Sequence, residues 1–236
     1  MATQVMTFVR DSIQDGSMTP EIWYSVYQIA EKLHISRSPV RDGLLRLEEA
    51  GLVKFSRNRG FQIILPRPDD VAEIFALRLG IEPACAARAA RDRTEEQLQH
   101  MQEMSTRMAT AADNDDENSF FDWDQQLHRL IAEAGHSHRG AHILDTLRFH
   151  TRLLSDSTVR SYRTMDHVHS EHQPILDAIT NSNPTAAHTA MTEHLTATGK
   201  LLLRQTILQQ DPSLNNDQDR LQELVDGTWD TQNGLN

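Results

Sequence analysis

Apolar residues recur at helical spacing in three short stretches near the start of the chain. Val5, Val9 and Ile13 form one stripe, which "QDGSMTP" closes with Gly16 and Pro20. "YSVYQIAEKLH" turns Val26, Ile29, Ala30 and Leu33 to one side, and "SRSPVRDGLLRLEEAG" aligns Val40, Leu44 and Leu47. Ser36 is placed to cap this third helix, Pro39 falls in its first turn, where a missing N–H is harmless, and Gly51 stops it. The period then changes. "LVKFS" and "FQIIL" are β-favouring runs joined by "RNRG", whose Gly60 suits a tight turn. Three helices followed by a β-hairpin outline a winged helix-turn-helix over residues 1–66.

"PRPDD" interrupts the pattern, because Pro66 and Pro68 disfavour both a central strand and a preceding helix, and residues 67–70 read as a linker. Helical periodicity fills 71–208, in six segments near 69–92, 94–112, 119–135, 139–157, 161–181 and 184–208. Thr94 with Gln97 is a capping box, and Asn183 before Pro184 is an N-cap with proline at the first helical position. From Asp211 the composition turns polar, so residues 209–236 are expected to form a flexible tail, with "RLQELV" able to dock as an extra turn. The fold class is mainly α: a winged domain and an all-α bundle of about six helices.

No stretch approaches the roughly 18 apolar residues of a membrane span, and "MATQVMTFVRDSIQDG" lacks the basic flank and apolar run of a signal peptide. A cytoplasmic protein without a membrane partner is expected. The single cysteine, Cys85 in "PACAARAA", can make no internal disulfide and sits among small residues that read as packed core.

Charge sharpens the division. The net charge is -11, yet residues 1–68 hold 9 basic against 7 acidic residues and residues 69–236 hold 14 against 27. Residues 32–60 alone hold 7 basic against 3 acidic, a local positive field able to approach phosphate on an otherwise repelled molecule. On the third helix Arg37 and Arg41 share a flank outside the apolar stripe, with Ser38 further round. Arginine can bridge O6 and N7 of guanine, and hydroxyls can hold phosphates. Arg57 and Arg59 in the hairpin turn are placed to reach backbone or an adjacent minor groove.

Ten of the twelve histidines follow residue 120. "DWDQQLH" sets Asp124 and His128 four apart on one helix face, while His172 and His194 come from later helices. Three imidazoles and a carboxylate from three helices can hold a first-row ion, and zinc, nickel and manganese all suit such ligands. Arg148 and Arg152, at i and i+4 in "LRFHTRLL", can line the same cavity. His136, His138, His142, His150, His167 and His169 read as solvated or hydrogen-bonded.

These residues carry a resemblance. "IAEKLHISRSPVRDGLLRLEEAGLV" followed by "NRGFQI" resembles the winged helix-turn-helix of the GntR superfamily of bacterial transcription regulators. The likeness implies that Arg37 and Arg41 contact DNA, that Ser36 and Ser38 contact phosphate, and that Gly60 is the wing glycine. Three positions depart from the pattern: a Pro-Gly before the second helix is missing, Tyr27 stands where a third DNA-contacting arginine is common, and His34 replaces a glycine in the bend. The last is tolerable, because histidine enters the positive-φ region at modest cost. Residues 71 to about 205 resemble the FCD effector domain of the FadR branch, through "LRLGIEPACAARAA", "DWDQQLH", "EHQPILDAI" and "EHL". That resemblance implies a metal on Asp124, His128, His172 and His194 that helps hold a small carboxylate effector, with Arg78 directed at the carboxylate. Six helices point to the shorter VanR-like subgroup.

The expected function is a metabolite-responsive transcription regulator, expected to act as a repressor, binding a palindromic double-stranded operator as a homodimer. Two other readings stand beside it. In one the ion is itself the signal. In the other the site is a hydrolase, with Glu171 or Glu193 as base, although a neighbour in sequence points about 100° away from a helical ligand and no H-E-x-x-H motif is present.

Overall fold

The computed structural model describes residues 2–234 except Asp15, Ala50, Arg57, Leu65, Pro66 and Tyr162; at positions 2, 3, 10, 14, 152–158, 160 and 161 only the backbone is described. The chain divides into two compact units, Met1–Arg67 and Pro68–Asn236.

The first unit runs α1 (Ala2–Gln14), β1 (Trp23–Tyr24), α2 (Val26–Lys32), α3 (Arg37–Glu49), β2 (Val53–Ser56) and β3 (Gly60–Ile63). Val5 and Val9 of α1 are buried, α1 packs on α3, and Met6 and Ser12 complete its inner face while Ile13 is half-buried. Val40, Leu44 and Leu47 bury as their spacing requires. Ser25, extended at φ -91 and ψ 133, closes a capping box with Gln28, so α2 begins at Val26 and Tyr24 is left outside the helix. Trp23 and Tyr24 instead add a strand to the hairpin, giving an antiparallel sheet of order β1-β3-β2 with Tyr24 and Phe55 both opposite Phe61. Between α2 and α3, His34 takes φ 52; its N–H donates to the Glu31 carbonyl and that of Ile35 to the Ala30 carbonyl, the left-handed closure that glycine usually makes. Gly60 cannot be replaced without rearrangement: at φ +98, a Cβ would lie 2.1 Å from the Tyr24 carbonyl oxygen.

The second unit contains α4 (Pro68–Asp92), α5 (Glu95–Asp113), α6 (Glu117–Ala134), α7 (His138–Ser161), α8 (Met165–Thr180), α9 (Pro184–Gln210), a 3-10 turn (Pro212–Asn216) and α10 (Gln218–Gln232). Residues 68–70 of the expected linker are the first turn of α4, with Asp69 and Asp70 at its positive end. Thr94 and Gln97 form the expected capping box, and Asn183 accepts from the Ala186 N–H with Pro184 behind it. At the centre, α4 packs along α9 and also meets α6, α8 and α10. Ala72, Ala86, Ala89 and Ala90 on α4 are buried, and so is Cys85.

The expected flexible tail is a correction: Pro212–Asn216 forms a 3-10 turn and Gln218–Gln232 a helix, on which Leu221, Val225 and Trp229 stand four apart and are all buried, against α9 and α4. A Cβ on Gly199 would sit 2.4 Å from the Trp229 ring, so glycine there lets the indole lie on α9. The six helices expected over 69–208 are present as α4–α9, and α10 adds a seventh among the described residues. Among the described residues no helix is long and apolar enough to cross a membrane.

Candidate DNA interface and metal centre

In the first unit, burial of Val40, Leu44 and Leu47 turns the opposite face of α3 outward. Ser36, Arg37, Ser38 and Arg41 are exposed, and neither arginine makes an ion pair among the described residues. An open depression of about 700 Å³ brings Arg37 and Arg41 together with Tyr27, Leu45, Asn58 and Gly60. Tyr27, the departure noted in the sequence, is 63% exposed at its edge. Arg59 is exposed with its guanidinium 6.0 Å from the Trp23 ring centroid, at the outer limit of a cation–π contact. Arg57 lies outside the described residues.

In the second unit five elements converge on one buried centre. Asp124 and His128 come from α6, His172 from α8 and His194 from α9, and all four are buried. The three histidines offer ring nitrogens within 4.8 Å of one another. Asp124 Oδ1 lies 2.9 Å from His172 Nε2 and 3.7 Å from His128 Nε2.

The protons of this centre follow from its hydrogen bonds. His128 Nδ1 contacts the Glu82 carboxylate, and burial, then the Arg148 charge, push this imidazole down to about 3, so it is neutral and donates to Glu82. Its Nε2 therefore carries a lone pair. His172 Nδ1 is 2.7 Å from the Val168 carbonyl oxygen, which can only accept, so in the neutral ring Nε2 is again a lone pair. These two Nε2 atoms face each other at 3.1 Å, beside the carboxylate oxygen of Asp124. With both rings neutral, three acceptor atoms converge on one point, the kind of donor set that a cation satisfies. Second partners that fix the ring orientation are typical of histidine ligands.

Burial alone would raise the Glu82 and Asp124 carboxyls, but Arg78 beside Glu82 and Arg148 beside Asp124 hold both well below the usual range. Burial, then His172, pushes His194 well below its ordinary value. Arg78 Nε donates to Glu82 at 2.6 Å, and its guanidinium lies 4.9 Å from the Phe75 ring centroid. Arg148 Nη2 is paired with Asp124, while its Nε and Nη1 are buried without a hydrogen-bond partner. Arg78 and Arg148 line a cavity of about 40 Å³ next to Asp124 and His194. The Arg152 side chain lies outside the described residues.

Three residues of this centre escaped the sequence reading as site members. Glu82 had a signal, since it is an acid on the stripe that continues through Ala86 and Ala89, four residues from Arg78. Glu171, passed over because it neighbours His172, faces a different helix, with Oε2 3.5 Å from His194 Nδ1. Arg163, just ahead of α8, lies on the cavity wall with its side chain 8% exposed, donating to Glu171 at 2.9 Å and Thr198 at 3.3 Å; periodicity gave no sign of it. Glu193 is exposed. Of the remaining histidines, His169 pairs with Ser105 at 2.9 Å and His136 is exposed.

Comparison with known proteins agrees with both units. The family model of the FCD domain matches residues 73–197, and that of bacterial regulatory proteins, gntR family, matches residues 1–63. The HTH-type transcriptional regulator YdhC of Bacillus subtilis (strain 168) is 25% identical over 191 residues, 79% of this chain and 84% of that protein. The HTH-type transcriptional repressor RspR of Escherichia coli (strain K12) is 25% identical over 198 residues, 81% of this chain and 84% of that one. The solved structure of E. coli McbR/YncC shares the fold, with a TM-score of 0.68 at 17% identity over 86% of this chain and 97% of that chain.

Proposed function

The chain belongs to the FCD-domain branch of the gntR family of bacterial regulatory proteins, and is a transcription regulator rather than an enzyme; from this we propose that it is a metal-assisted, carboxylate-responsive repressor acting as a cytoplasmic homodimer. Arg37, Arg41, Ser36 and Ser38 meet a palindromic operator, one recognition helix per half-site, with Arg59, Gly60 and the undescribed Arg57 forming the wing contact. Asp124, His128, His172 and His194 hold a divalent transition ion, zinc or nickel by ligand type and manganese less readily. When bound, the ion supplies a fixed positive charge that attracts a small carboxylate. Arg148 and Arg78 receive the same group, and its capture shifts the spacing of the paired winged domains so that both half-sites are no longer met.

The observation that carries the metal half is the convergence of three histidine ring nitrogens within 4.8 Å of one another, with the His128 and His172 Nε2 atoms 3.1 Å apart beside the Asp124 carboxylate. The cavity and the free donors of Arg148 favour an organic anion over an ion acting as the sole signal. Metal content per chain, measured on protein purified without chelator or tag, is the test. Near one equivalent, lost in His172→Ala, with operator affinity unchanged across a metal titration but lowered by a carboxylate, supports the reading. No retained metal after incubation with Zn²⁺ or Ni²⁺ overturns it, and operator affinity that tracks metal alone points to direct metal sensing.

A further inference from the structure

Buried guanidinium nitrogen atoms without a hydrogen-bond partner belong to two arginines on one wall of the second unit's cavity. Arg148 Nε and Nη1 and Arg163 Nε are such atoms, and both arginines line the cavity beside Asp124 and His194. Unpaired buried donors are costly, and a native structure retains them where something else completes them. The two arginines come from different segments, Arg148 from α7 and Arg163 from the residues leading into α8. They give the cavity two separate anion seats.

The charges around the cavity fix how much anion is needed. Arg78, Arg148 and Arg163 are balanced by Glu82, Asp124 and Glu171, in the pairs Arg78 with Glu82, Arg148 with Asp124 and Arg163 with Glu171. The protein's own charges thus cancel. A divalent ion then leaves two uncompensated positive charges in a buried place, which a monocarboxylate halves and a dianion removes. At about 40 Å³ the cavity is far below the roughly 300–1,000 Å³ that takes drug-sized ligands, so the anion is short.

Resting on the metal-assisted reading above, we infer that the effector is a small dicarboxylate, with one carboxylate at the ion and Arg148 and the second on Arg163 Nε. Arg163 is the residue that distinguishes two acidic groups from one. Its Nη1 stays with Glu171 and Thr198, which leaves Nε as the guanidinium donor without a hydrogen-bond partner.

The test compares malonate and succinate with acetate and propionate on the full-length, nickel-loaded chain, by calorimetry and by shift of the melting midpoint. The expected result is at least about tenfold tighter binding of one dicarboxylate than of either monocarboxylate. Arg163→Gln loses on the order of 30-fold for the dicarboxylate, as when one partner of a buried charge pair is removed, and changes monocarboxylate binding less than about twofold. Arg163→Lys, which keeps the charge without the Nε donor, falls between the two and serves as the test if the glutamine variant does not fold. Equal binding of mono- and dicarboxylates, no binding of either dicarboxylate, or a parallel loss of both classes in the variants overturns the inference. Metal content of the same samples separates the failures: a chain that retains no metal sinks this inference together with the metal reading, whereas a metal-loaded chain without dicarboxylate preference sinks this inference alone.

Discussion

Replacing Glu82 with glutamine tests the centre at its least exposed carboxylate. Glu82 keeps about 3% of its side-chain surface and meets Arg78 at 2.6 Å, His128 Nδ1 and, at 3.8 Å, Arg148 Nη1. Glutamine preserves the shape but removes the charge, and two separable effects follow. His128 loses the carboxylate that orients its ring and raises its basicity, a change worth about 10–100-fold in metal affinity. Arg78 loses its ion-pair partner in a buried site, which costs about 3–5 kcal/mol of stability in the metal-free protein. The second effect is larger, because tenfold in affinity is only about 1.4 kcal/mol. Chelator competition measures the first, and urea denaturation in EDTA at pH 7 the second. If affinity stays within about twofold and stability within about 1 kcal/mol, Glu82 is already neutral in the native protein and the proton assignment of His128 is wrong.

Four further outcomes are expected. His128 and His194 are held down by burial, so between pH 6.5 and 5 the unfolded chain takes up protons that the folded chain refuses; metal-free stability falls with pH by up to about 1.4 kcal/mol per unit per histidine, and a flat urea midpoint from pH 7 to 5 contradicts this. Trp229→Ala removes a 3%-exposed indole from Gly199 and Phe75 and costs about 3–5 kcal/mol in the same assay; under 1 kcal/mol would mean α10 is not part of the cooperative unit. Gly60→Ala destabilises the winged unit by at least about 1–3 kcal/mol from its backbone conformation alone and opens the β1–β3 pairing, read by circular dichroism. Arg41→Ala weakens operator binding by about 1–3 kcal/mol in fluorescence anisotropy if it reads a guanine, and relaxes selectivity at that base.

Legibility followed the range of the interactions. The stripe Val40, Leu44 and Leu47, the Thr94 capping box and the Asn183–Pro184 start depend on residues within a turn or two, and the structure builds each of them. The strand at Trp23–Tyr24 does not, since two residues carry no period and pair only because Phe61 lies opposite. The segment after Asp211 misled because its polar composition is real: on α10 only Leu221, Val225 and Trp229 are buried, a spacing of four that a composition average hides. In the centre, Asp124 and His128 share a helix and are readable as a pair, while Arg163 and Glu171 earn their places through contacts with α9 that no local pattern encodes.

Buried ion pairs such as Arg78–Glu82 and Arg148–Asp124 are seldom a net source of stability, since apolar groups of the same volume serve as well or better. The second unit must therefore be held by what surrounds them. Ala72, Ala86, Ala89 and Ala90 line α4 with small buried side chains, and α10 adds a cover on α4 and α9. That cover reaches the site itself. The Trp229 ring lies 6.2 Å from Phe75, and Phe75 lies 4.9 Å from the Arg78 guanidinium, so one aromatic residue separates α10 from the cavity wall. The matched FCD residues end at 197, before Gly199 and before α10 begins at Gln218. Loosening α10 removes the backing of Phe75 and frees Arg78 to leave Glu82, so Trp229→Ala should weaken anion binding as well as stability, without contact with the anion. An alanine variant that lost stability yet bound a dicarboxylate as tightly as the parent would show that Arg78 is held by Glu82 alone.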